Sequence, residues 1–206
     1  MKNAFKVLAL AAIAICFAFA IPVKERKVFN VVIDAAHGGK DFGAVHEDIK
    51  EKDIVRQVAN KIPALTNDTD VLFHVINGED GFMGLQERVQ AINAINPDLV
   101  ISIHVNAERG GEDASGMEFF VTDKPGHFEK SNELAEKLAA KFKTDTSFKV
   151  RKVAQAPFYV LKNVNAPAIM FQMGYLTNKH DRTYMTNEEM QKVIATRIAD
   201  FIKEAK

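Results

Sequence analysis

Apolar residues fall into short unbroken runs, separated by longer stretches with helical spacing. VFNVVI (28–33) reads as a buried strand opening into a loop, 34–50, that carries Gly and Asp. From about Glu51 to Leu65, Ile54, Val55, Val58 and Ile62 share one helical face, and Pro63 with TNDTD ends that element. VLFHVI (71–76) predicts a second strand. A helix follows from Gly84 to about Ile95, with Leu85, Val89 and Ile92 apolar. DLVISIHVN (98–106) and GMEFFVT (116–122) predict strands, and 129–142 a helix carrying Leu134, Leu138 and Phe142. PFYVL (157–161) and PAIMFQM (167–173) read as extended runs, and the tail from about Asn187 to Lys203 as a helix. The strands lack polar alternation, which fits burial on both faces. Strands alternating with helices predict a single α/β domain over 28–203: a twisted, mainly parallel sheet with helices on both faces.

Composition changes this picture little. The chain has 206 residues, and its 27 Lys and Arg balance 27 Asp and Glu, so it lacks the basic excess expected of a nucleic-acid binder. The first residues matter more. Lys2 and Lys6 form a basic region, 7–19 is apolar, and Ala18-Phe19-Ala20 resembles a cleavage site. We read 1–20 as a secretory signal peptide, with a membrane anchor as the alternative; the stretch is short for a span. The expected location is secreted, either periplasm or extracellular. Cys16, the single cysteine, falls in that segment. A transition metal in the mature chain therefore has only His and carboxylate ligands to draw on.

In parallel α/β sheets, ligands gather at the carboxyl ends of strands. Two histidines meet that condition. His37 follows the first strand within VVIDAAHGG, among residues almost without side chains, and His104 lies in Ser-Ile-His-Val-Asn. Glu51 closes the loop that begins at His37, and Gly38, Gly39 and Gly43 let that loop fold back. Two imidazoles and one carboxylate form a known catalytic zinc set. Two of the three also have a plainer reading: Glu51 as an acid favoured by the helix dipole, His104 as a satisfied core histidine. His46 lies in the same loop and could contact substrate. His74 reads as core or surface, His127 and His180 as solvated. GGKDFG lacks Walker spacing, and no G-x-S-x-G is present.

VVIDAAHGGKDFGAV, KEKDIV, LQERVQAINAINPDLVISIHVNA, SGMEFF and YVLKNVNAPAIMFQMGYLTN occur in order. Together they resemble the zinc-dependent N-acetylmuramoyl-L-alanine amidases of the type 3 family over about 28–203. The resemblance implies zinc (Zn2+) held by His37, Glu51 and His104, with peptidoglycan as substrate. It matches Arg88 to a family arginine that either binds a substrate carboxylate or buttresses the strand. Tyr175 and Asn178 are expected to shape the site loop. The stretch between His104 and Gly116 is shorter than in family members held inactive by a blocking helix, so the resemblance implies an open groove here.

The chain departs from the pattern twice. Ala35-Ala36 stands where the family has Pro-Gly, a cost if residue 36 needs positive φ. Gln172 stands where the family has the catalytic Glu. An amide cannot relay a proton, and loss of a general acid/base costs about 10²–10⁴-fold. Three expectations follow: an amidase in which another group such as His46 or Glu118 relays protons, a zinc-binding homologue that grips peptidoglycan or regulates a true amidase as its protein partner, or a metal-free structural protein. Glu118 has its own plain reading, as a strand residue paired with a cation.

Overall fold

A computed structural model describes residues 27–123 and 126–206, so the expected signal segment 1–20 lies outside the described residues. Among the described residues, eight strands and six α-helices follow one another: β1 Phe29–Ala35, β2 Val45–His46, β3 Ile49–Lys50, α1 Glu51–Lys61, β4 Val71–Ile76, α2 Leu85–Ile95, β5 Leu99–Asn106, β6 Met117–Val121, α3 Phe128–Lys143, β7 Val150–Gln155, α4 Tyr159–Asn163, β8 Ala168–Tyr175, α5 Lys179–Thr186 and α6 Glu188–Ala205. Six strands form one sheet in the order β4-β1-β5-β8-β6-β7, and β2 and β3 form a separate hairpin. All neighbours in the large sheet run parallel except β6 and β8.

Alternate residues of the central strands feed opposite faces, as a pleat of period two requires. Val31, Ile33, Leu99, Ile101 and Ile103 pack with α1, α3 and α6, while Val32 and Val100 pack with α2 and α4. Phe119 and Phe171 stack at 4.7 Å between ring centres inside the first layer. With both faces covered, the functional surface is left to the strand ends.

The structure corrects the reading of PFYVL. Residues 159–163 form a helix that buries Val160 and Leu161. A short apolar run has no period long enough to separate strand from buried helix. Three further elements were not anticipated. β7 is an edge strand exposing Arg151 and Lys152, and charge on an edge strand discourages unwanted pairing. Helix α5 is polar, and Asn178 caps it through the His180 and Asp181 amides. The β2–β3 hairpin folds the Gly loop back toward α1.

Among the described residues, no helix is long and apolar enough to cross a membrane. The loop from Asn106 to Met117 contains no helix. It is pinned by Glu108 N–H to Thr177 Oγ1 at 3.2 Å and by Asn178 Nδ2 to Glu112 O at 2.8 Å.

Candidate metal centre

Strands β1 and β5 are direct neighbours, so the chain leaving Ala35 and the end of β5 sit side by side. Helix α1 starts immediately after the hairpin and brings Glu51 to the same point. One donor atom from each of His37, Glu51 and His104 lies within 4.8 Å of the others. His37 Nε2 is 3.1 Å from Glu51 Oε2, and His104 Nδ1 is 3.1 Å from Glu51 Oε1. A four-coordinate ion with bonds of about 2.0–2.1 Å needs donor atoms roughly 3.3 Å apart. Gly43 passes so close that a Cβ there would lie 2.5 Å from Glu51 Oε2 and 2.6 Å from the His37 ring. Donor chemistry, spacing and this cradle fit a metal ion.

Glu51 is buried, and each carboxylate oxygen has one backbone donor as well as one imidazole. Val105 N–H donates to Oε1 at 2.8 Å, and Ala44 N–H to Oε2 at 2.8 Å. Burial opposes the charge on Glu51, but hydrogen bonds from His104 and His37 prevail and hold its pKa far below the usual carboxylate range. Burial likewise opposes charge on His37, yet Glu51 and Asp41 outweigh it and raise its pKa to about 9. In the metal-free chain the His37 proton balances the buried carboxylate. A bound cation would take over that task by displacing the proton.

His37 itself has φ +65°, a region L-residues with bulky side chains rarely occupy. Ala36 is not among the positive-φ residues, so the strain anticipated at 36 sits one position later. The surroundings hold it in place. Arg88 Nη2 donates to His37 O at 2.9 Å, and Asn77 Nδ2 donates to the same oxygen. Arg88 is buried, pairs with Asp34 and donates to Ala35 O at 2.8 Å; Ser102 Oγ donates to the other Asp34 oxygen at 2.7 Å. This is the geometry of a buttress under the His37 loop.

His46 lies on the β2–β3 hairpin, outside the three-residue cluster. Gln172 pairs in register with His104 on one side and Glu118 on the other. Glu118 is buried and bonded to Arg151 Nε at 3.1 Å and Lys152 Nζ at 3.4 Å, as its plain reading expected. A cavity of about 170 Å³ opens beside the cluster, bounded by His37, His104, Phe82, Leu85 and Val160.

Sequence reasoning missed Asp41, whose Oδ2 lies 2.9 Å from His37 Nδ1. Its position four residues after His37, in the same Gly-rich turn, was the available signal. That bond fixes the ring with Nε2 facing Glu51. Asp41→Ala is expected to weaken metal binding by about 10–100-fold, the usual effect of removing such an orienting partner. Competition against a chromophoric chelator measures it, and unchanged affinity would show that the ring is held by other means.

A profile of the N-acetylmuramoyl-L-alanine amidase family matches residues 31–204. The chain is 32% identical to YqiI of Bacillus subtilis (strain 168), covering 98% of this chain and 97% of YqiI. It is 28% identical to the N-acetylmuramoyl-L-alanine amidase LytC of the same strain over 83% of this chain, and spans about a third (34%) of LytC. Among solved structures, the N-acetylmuramoyl-L-alanine amidase of Clostridium difficile 630 superimposes with a TM-score of 0.81 at 29% identity, over 86% of this chain and 96% of that one. The match across nearly all of the described fold, with His37, Glu51 and His104 gathered at its strand ends, identifies the chain as a member of the type 3 N-acetylmuramoyl-L-alanine amidase family.

Proposed function

We propose that the chain is a zinc-dependent hydrolase of the amide joining N-acetylmuramic acid to L-alanine in peptidoglycan. It acts outside the cytoplasm as the domain 28–203, after residues 1–20 are removed. The observation that carries this reading is the closure of two imidazoles and one buried carboxylate on a single point in a chain of this family. His37 Nε2, His104 Nδ1 and a Glu51 oxygen would hold the ion. Bound zinc supplies Lewis-acid polarisation of a carbonyl and brings the pKa of water to about 7. Asp41 orients His37, Glu51 contributes the compensating negative charge, and the Arg88–Asp34 pair keeps the His37 turn in place.

Gln172 limits the rate, because its amide hydrogen-bonds but neither takes nor gives a proton at neutral pH. Gln172→Glu is therefore expected to raise release of free stem peptides from purified sacculi by about 10²–10⁴-fold. Zinc content is measured on the same samples. If the zinc-loaded variant is no faster than the parent, residue 172 is not the missing base.

Gln172 also favours a second reading: a zinc-binding homologue that grips peptidoglycan or regulates a true amidase. A parent protein that sediments with sacculi, carries zinc and releases no stem peptide would select it. A protein that takes up no zinc would overturn both readings.

A further inference from the structure

In strands β5, β8 and β6, side chains are buried except those of His104, Asn106 and Gln172, which are partly open. Asn106 Nδ2 lies 2.9 Å from Gln172 Oε1 and 3.3 Å from Glu118 Oε2. Amide oxygen and nitrogen are hard to tell apart by shape, so the direction of this chain of bonds has to come from chemistry. Ala107 N–H lies 2.8 Å from Asn106 Oδ1. A backbone N–H only donates, so the Asn106 oxygen is committed to Ala107 and its NH2 faces the other two groups. The carboxylate of Glu118, tied to Arg151 and Lys152, accepts. Gln172 must accept as well, and so presents its oxygen to Asn106. Its own NH2 is left over, and among the described residues it donates to nothing.

We propose that Asn106 is a positioning residue that locks the amide of Gln172, the register partner of His104, with its NH2 unpaired, as a fixed donor to an oxygen of the bound ligand. A Glu at 172 offers acceptor oxygens there and repels anions. A locked NH2 attracts them. The ligand class it favours is a carboxylate-bearing muramic sugar, the acid that amide hydrolysis leaves behind. This inference rests on the peptidoglycan reading of the site, and it adds that the chain retains its product where a Glu-bearing site would expel it.

The test uses the zinc-loaded protein and N-acetylmuramic acid. Calorimetry should show affinity falling about 10–100-fold in Gln172→Met, the range for losing a hydrogen bond to a charged group, and further in Gln172→Glu. Asn106→Leu removes the lock without adding charge and should weaken binding about 3–10-fold, as for one neutral hydrogen bond. In the ¹⁵N-labelled parent, the Gln172 side-chain NH2 signals should move on saturation with the sugar, a readout that needs no variant to fold. Equal affinities in parent, Gln172→Met and Asn106→Leu, or NH2 signals that stay still in a saturated sample, overturn the inference alone. A zinc-loaded parent that does not bind the sugar also overturns the inference alone; the peptidoglycan reading falls separately, if zinc-loaded parent and Gln172→Glu neither sediment with sacculi nor release stem peptides.

Discussion

Glu51→Ala is expected to leave the chain without stoichiometric zinc and to destabilise the metal-free protein by about 2–4 kcal/mol, the cost of stranding buried donors. Two effects add. The substitution removes the one negative charge among the three proposed ligands, so two imidazoles would face the cation alone. It also leaves the Ala44 and Val105 N–H groups without the acceptor that tied the Gly loop to β5. The electrostatic sign can be followed separately. With the carboxylate gone, the His37 pKa should fall from about 9 toward its ordinary value, because Glu51 contributes to holding it up. Metal analysis after gel filtration, urea unfolding of chelator-treated protein and NMR titration of the His37 ring read the three consequences. A variant that keeps one zinc per chain would remove Glu51 from the ligand set.

Arg88→Met is expected to cost still more stability, without removing a proposed ligand. Its guanidinium and Asp34 are both buried, and breaking such a pair from one side leaves an uncompensated charge at a cost of about 3–5 kcal/mol. The His37 carbonyl also loses one of its two donors, at the residue that already occupies positive φ. Replacing both partners, as Asp34→Asn with Arg88→Met, should recover part of the loss, because no lone charge remains. Urea midpoints for the two variants and the parent decide this. An Arg88→Met protein as stable as the parent, but weaker toward a carboxylate ligand, would return Arg88 to the substrate-contact role its family match also allowed.

Much of the frame was legible because buried parallel strands need no partner information: runs such as VVI and LVI are apolar whichever neighbour they pair with. His37, Glu51 and His104 could be nominated because strand ends and loop glycines are local features. What escaped was set by tertiary context. Strand β7 looks like a charged loop until β6 is beside it. The strain at His37 depends on Arg88 and Asn77, residues 51 and 40 positions away. The orientation of Gln172 depends on Asn106, at a separation of 66. No window along the sequence contains those pairs.

Strand β6 alone runs against its neighbour β8, so the segment 107–116 both departs from and returns to the rim above Gln172. Lengthening it would disturb no ladder, because neither end would need to shift register. Additional residues there would grow as a canopy over the opening, out of contact with the hydrophobic layers. This is therefore the place where a descendant of this sequence could acquire a cover, or a grip on a second protein, while the scaffold beneath stayed as it is.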